Sequence, residues 1–177
     1  MTSVTRKNLL EWAGTIVVAI VLSLVIRSYV AEARWIPSES MLPTLKVGDH
    51  LMTDKISYQF KSIQRGDIVV FTPPAEAHIE EEALIKRVIG LPGDTVSIQE
   101  RTVYINGKPL KEPYLLEKPR EDLKPFTVPE DHVFVMGDNR NNSYDSRFWG
   151  PLPTDNIIGR AMFLYYPFNH LKVLTRG

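Results

Sequence analysis

Two serine hydroxyls stand two residues apart in Ile36-Pro37-Ser38-Glu39-Ser40-Met41-Leu42-Pro43-Thr44. Serines beside prolines usually form turns or caps. Their placement weakens that reading, because they lie between Ile36 and Met41-Leu42, just beyond a long apolar stretch. A serine becomes a nucleophile only when a base takes its proton. None of the four histidines (His50, His78, His132, His170) has a recognisable triad context, and Gly-x-Ser-x-Gly is missing.

A lysine is the candidate base. It occurs in Ala83-Leu84-Ile85-Lys86-Arg87-Val88-Ile89-Gly90-Leu91-Pro92-Gly93-Asp94. On a strand of period two, Leu84, Lys86 and Val88 share one face. A lysine between apolar neighbours is either an edge-strand gatekeeper or a buried amine. The gatekeeper is the commoner arrangement, yet burial is what catalysis requires, because desolvation disfavours the ammonium form. Lowering its pKa from ~10.4 to near 8 takes roughly 3 kcal/mol of differential destabilisation. A neutral amine can then accept a serine proton.

The third stretch is Gly137-Asp138-Asn139-Arg140-Asn141-Asn142-Ser143-Tyr144-Asp145-Ser146-Arg147. Its plain reading is a polar turn-forming loop. A calcium loop fails, with Arg140 at the third position, no glycine at the sixth and Trp149 at the twelfth. The functional reading is a cross-braced loop in which Asp138 and Asp145 pair with Arg147, Arg87 or Arg140, and Ser143 offers a hydroxyl. Buried charge pairs are costly unless every partner is present. So many polar groups together mark a site.

Strands must position these residues. Runs at His50–Ile56, Asp67–Phe71, Ala83–Leu91, Thr95–Ile98, Thr102–Ile105, His132–Met136 and Ile158–Tyr166 are apolar or alternating, with turn signals between them. Asn106-Gly107 after Val103-Tyr104-Ile105 predicts a type I′ hairpin. Residues 108–125 are rich in Pro, Lys and Glu and read as an exposed excursion. The expected fold is mainly β, an antiparallel sheet domain over residues 31–177, with one N-terminal transmembrane helix over 9–30 and a short segment 1–8 before it.

Trp12 to Ile26 is an uncharged, mostly apolar run of 15 residues, with Arg6 and Lys7 before it and Arg27 after it. Extended through Leu9 and Val30 it reaches the ~20 residues that a bilayer needs. It reads either as an uncleaved anchor or as a cleaved secretory signal ending at Ala31-Glu32-Ala33. In the anchor reading those alanines are small residues of a juxtamembrane turn.

Composition removes other classes. The chain of 177 residues has 21 Lys+Arg against 21 Asp+Glu, which gives no electrostatic footprint for nucleic acid. With no cysteine, disulfides, thiolate nucleophiles, iron–sulfur clusters and Cys-based zinc sites are excluded. The histidines have no metal-ligand spacing, so neither a metal nor another cofactor is expected.

Together the three stretches resemble bacterial type I signal peptidase, the membrane-anchored Ser–Lys endopeptidase of the S26 class. Pro37-Ser38-x-Ser40-Met41-x-Pro43-Thr44 looks like its nucleophile box, with Glu39 where some members carry Gly. Lys86-Arg87-Val88-Ile89-Gly90-x-Pro92-Gly93-Asp94 looks like its lysine box, and the loop from Gly137 to Arg147 like its third. The resemblance implies that Ser40 is the nucleophile and Lys86 the general base. It implies an oxyanion hole made by the Ser40 N–H and the Ser38 hydroxyl, and a hydrogen bond from Ser143 to the lysine amine. Asp145 with Arg147, and Arg87 with Asp138, would be structural braces. Shallow pockets for small residues would draw on Ile36, Met41, Leu45, Leu84 and Ile85. The implied partners are preproteins emerging from the export translocon and the lipid bilayer, with the N-terminus cytoplasmic and the catalytic domain outside. The resemblance also favours the uncleaved anchor. Two competing readings are a soluble self-cleaving repressor, which the apolar segment opposes, and a non-enzymatic β-domain, which would lack Ser40 or Lys86.

Overall fold

The computed structural model describes residues 2–176, apart from the side chains at 2–7, 10, 27 and 28. Of the expected segment 1–8, Met1 lies outside them, and for residues 2–7 only the backbone is described. Helix α1 (Thr2–Val25) runs through a π-helical turn, Ile26–Val30, into β1 (Ala31–Trp35). There follow β2 (His50–Asp54), α2 (Ser57–Phe60), β3 (Ile68–Phe71), β4 (Leu84–Gly90), β5 (Thr95–Gln99) and β6 (Thr102–Ile105). The remaining elements are β7 (Lys108–Pro109), β8 (Leu123–Thr127), β9 (His132–Met136), α3 (Ser146–Trp149), β10 (Leu152–Pro153), β11 (Ile157–Tyr166) and β12 (Lys172–Val173).

All pairings are antiparallel. The larger sheet has the order β1-β2-β11-β3-β4-β9-β10, with β12 added to β11, and the smaller has the order β7-β6-β5-β8. In β4, Leu84 and Val88 pack with Val69 and Phe71 on one face, and Lys86 lies between them in the alternation. Period two thus places the lysine where the sequence puts it. On the opposite face Ile85 joins Ile36, Met41, Leu45 and Leu51 beneath the serine loop. A third apolar cluster, including Ile89, Val96, Val103, Phe134 and Met136, seals the junction of the two sheets. Fully burying each such side chain is worth about 1.5–3 kcal/mol.

Two local expectations change. Ala31-Glu32-Ala33 is no turn: it is strand β1, registered residue for residue on β2 from Ala31↔Asp54 to Trp35↔His50. The excursion at 108–125 is paired at both ends, by β7 on β6 and β8 on β5. Within it, Glu112 is nearly buried and the Tyr114 ring lies 3.9 Å from the Arg87 guanidinium. The hairpin turn has positive φ at both Asn106 and Gly107, as a type I′ turn demands.

Leu9, Trp12, Ile16, Val17, Ile20, Leu24 and the other described apolar side chains of α1 are exposed. Among the described residues no helix is long and apolar enough to cross a membrane.

Gly90 lies tightly packed where the two sheets meet. A Cβ there would lie 2.6 Å from Val96 Cγ2 and 3.0 Å from Phe134 Cβ. Gly90→Ala should therefore destabilise the domain by about 1–3 kcal/mol through overpacking. Urea unfolding checks this, and an unchanged midpoint would contradict the close contact.

Candidate active site

Ser40 lies in the loop joining β1 to β2. The loop is closed at its base by two backbone bonds, Ile36 N–H to the Asp49 carbonyl (2.9 Å) and Gly48 N–H to the Ile36 carbonyl (3.0 Å). Ile36, Met41 and Leu45 anchor it from below, all buried. From above, Asn139 grips it, donating its amide to the Ser40 carbonyl (3.0 Å) and its side chain to the Glu39 carbonyl (3.2 Å). Contact is that close because residue 137 is glycine. A Cβ there would meet the Ser40 carbonyl oxygen at 2.4 Å and Ser143 Oγ at 2.3 Å.

Lys86 approaches from β4, which is flanked by β3 and β9. It is 3% exposed, and its Nζ donates to Ser40 Oγ at 2.7 Å. Burial lowers its pKa to about 8, although the Asp145 and Asp138 carboxylates pull in the opposite direction. Ser38 Oγ lies 3.3 Å from Ser40 Oγ. The Ser40 amide donates to no acceptor among the described residues.

Around this pair the charges are bound in twos. Arg87 makes a two-point bond to Asp138, Nε to Oδ1 at 2.8 Å and Nη2 to Oδ2 at 2.7 Å. Thr44 Oγ1 donates to the same carboxylate at 2.5 Å, and Arg87 Nη1 donates to the Gly66 carbonyl at 2.9 Å. Asp145 caps α3, accepting from the Arg147 amide, and its carboxylate holds the Arg147 guanidinium. It also accepts from the Gly137 amide at 2.9 Å. Arg140 pairs with Glu112, with side chains 0% and 6% exposed.

Ser143 takes a different place from the expected one. Its hydroxyl donates to Asp145 at 2.8 Å, not to Lys86. The carboxylate is the stronger acceptor and sits two residues away.

Two cavities meet at Ser38, Ser40 and Lys86. One has apolar walls from Ile36, Met41, Leu84 and Ile85, beside Trp35. Leu45, expected among these walls, is absent, because it is fully buried in the core below. The other cavity is lined by Glu39, Ile79, Glu81, Asn142 and Tyr144. Sequence reasoning did not single out Thr44, Gly137, Asn139, Glu112 or Tyr114 as individual contributors. Thr44, Gly137 and Asn139 lie inside the quoted stretches. Glu112 gives no signal, standing in an irregular segment 28 residues before its arginine. Among the described residues no group of carboxylates and histidines converges as a metal ion would require.

An antiparallel β-domain that aims a serine hydroxyl and a desolvated amine at one cleft has the build of a serine peptidase. The signal peptidase family, peptidase S26, matches residues 9–166. Relatives agree. Signal peptidase I of Leptolyngbya laminosa is 53% identical over 94% of this chain and 84% of its own. Probable signal peptidase I-1 of Synechocystis is 53% identical over 86% and 80%. Signal peptidase I of Bacillus licheniformis is 39% identical over 96% of each. The chain belongs to the signal peptidase family.

Removing one member of the buried pair should be costly. Asp138→Ala strands Arg87 and should lose about 3–5 kcal/mol, whereas the double replacement Arg87→Met, Asp138→Leu should lose far less. Denaturant unfolding of both variants makes the comparison. Equal losses would mean that Thr44 and Tyr114, not the charges, hold this region.

Proposed function

We propose that this protein is a membrane-anchored serine endopeptidase, a signal peptidase I that removes N-terminal signal peptides from exported preproteins. It cuts after small residues in an Ala-x-Ala pattern, through a Ser40–Lys86 dyad. The observation that carries the reading is the buried Lys86 amine at 2.7 Å from Ser40 Oγ. Family membership and the names of the relatives support the activity.

In this mechanism neutral Lys86 takes the Ser40 proton as Oγ attacks the scissile carbonyl. The Ser40 amide and the Ser38 hydroxyl donate to the developing oxyanion, a reading that the 3.3 Å between the two hydroxyls and the unclaimed Ser40 amide support. Lys86 then gives its proton to the departing amine, leaving an acyl-Ser40 ester. Water, deprotonated by the same amine, releases the signal peptide and restores the dyad. Asp145, Arg147, Arg87 and Asp138 position the loop carrying Gly137, and Ser143 orients Asp145. Ile36, Met41, Leu84 and Ile85 form the apolar wall that takes small side chains.

The membrane anchor is α1, with the N-terminus cytoplasmic and the β-domain outside, where preproteins leave the export translocon. Exposed apolar side chains along α1 support this, since such a surface calls for an apolar surrounding. Incubating the purified protein in detergent with a preprotein and sequencing the new N-terminus tests the reading. Ser40→Ala should abolish the cut. Lys86→Arg should do so too, because a guanidinium cannot give up its proton near neutral pH. Normal cleavage by either variant would refute the dyad.

The amine also has a pH signature. Activity should rise with pH through about 8, as Lys86 loses its proton. Stability follows the same group. The unfolded chain holds the lysine proton up to the ordinary value of 10.5 and the folded chain only to about 8, so stability falls as pH drops between them. Lys86→Met, free of that burden, should be inactive yet more stable at pH 7 by up to about 3 kcal/mol. The gain should vanish above pH 11. Denaturant unfolding at the two pH values measures it, and a destabilised variant at pH 7 would contradict the buried-amine account.

A further inference from the structure

The cavity on the Glu39–Tyr144 side of Ser40 has no task in the reaction as described. A peptide lying across Ser40 must occupy both cavities, because they meet only at Ser38, Ser40, Leu84, Glu81 and Lys86. If the apolar side takes the small residues before the cut, the residues after it leave through the other side.

That side has a different chemistry. Glu39 is an exposed carboxylate on its wall, Glu81 is another where it meets the first cavity, and Tyr144 is an exposed ring, 49% accessible, stacked on Phe148 at 5.4 Å between centroids. Glu39 is held in place by a neutral amide, Asn142 Nδ2, at 3.3 Å. Neither Glu39 nor Glu81 is in an ion pair among the described residues. Carboxylates and an aromatic ring lining one cavity suit a cation on a long apolar stem, which a ring can hold by its face and carboxylates by charge. An acidic side chain in the same place meets like charge.

Resting on the peptidase reading, we propose that this cavity is the leaving-group subsite, and that Glu39, Glu81 and Tyr144 make the enzyme favour a lysine or arginine over an acidic residue in the first two positions after the cut.

The test uses the full-length enzyme in detergent and three peptides with the same Ala-x-Ala sequence before the cut. They carry Lys-Lys, Gln-Gln or Glu-Glu after it. Exposed ion pairs and cation–π contacts are individually small, so kcat/KM for the lysine peptide should exceed that for the glutamate peptide by about three- to tenfold at low salt. The ratio should shrink as salt is raised. In the double variant Glu39→Gln, Glu81→Gln it should approach one. Glu81 also acts on the Lys86 amine. Any such change scales both peptides alike, so it cancels in the ratio, whereas loss of the subsite does not. Equal rates for the two peptides in the parent, or a ratio unmoved in the double variant, would overturn the proposal. Failure of the peptidase reading looks different: none of the three peptides, nor a preprotein, would be cut at the Ala-x-Ala site.

Discussion

Arg87 and Asp138 are 1% and 0% exposed, so neither charge has water to fall back on. Ions in that position cost several kcal/mol each unless the pair's geometry and further hydrogen bonds offset the loss. Here they do: two parallel N–H···O bonds join the pair, Thr44 adds a third to the carboxylate, and the Gly66 carbonyl takes another guanidinium proton. Those partners come from β4, from the loop after β9, from the serine loop and from the turn before β3. The joint therefore fixes the parts of the site relative to one another. Its neighbours in sequence make use of that. Lys86 is one residue before Arg87 and points to the opposite face, while Gly137 is one residue before Asp138 and lies against the Ser40 carbonyl. A slip of one residue in β4 would turn both the guanidinium and the amine to the wrong faces.

The same pairing controls the amine electrically. Burial pushes the Lys86 pKa down, and the Asp145 and Asp138 carboxylates push it up. Two unpaired carboxylates there would oppose the effect of burial more strongly. Each is instead already bonded to an arginine, Asp145 to Arg147 and Asp138 to Arg87. Arg147 itself lowers the lysine pKa. The arginines thus have two effects that cannot be separated by looking at contacts alone. Both hold the loop, and Arg147 also offsets part of the negative charge that the loop brings to the amine.

Much of this is legible in the sequence because it depends on alternation and local turn chemistry. The face of Lys86 follows from period two, and the Asn106-Gly107 hairpin follows from the need for positive φ. What stays hidden depends on contacts between distant segments. Ala31-Glu32-Ala33 is a strand because β2 offers a partner in register, which its small residues do not announce. Leu45 looks like Ile36 and Met41, its neighbours in the same loop. Only the packing of Leu51, Leu164 and Leu174 around it shows that it faces the core and not the cleft. Ser143 illustrates a further limit. A resemblance carries over the residue, but whether its hydroxyl turns to an amine or to a carboxylate is decided by geometry at the level of one rotamer.

The path from α1 to Ser40 sets one more constraint. β1 leaves the π-helical turn and runs five residues to Trp35, all in unbroken register with β2. At about 3.3 Å per residue that is roughly 17 Å of rigid strand. A flexible linker of the same length would let the nucleophile wander, whereas a strand paired along its whole length does not. If α1 is the anchor, that strand holds Ser40 at a set distance from the end of the anchoring helix. Such a site would reach only cut points that lie a short way outside the membrane, which is where the end of a membrane-spanning signal segment emerges.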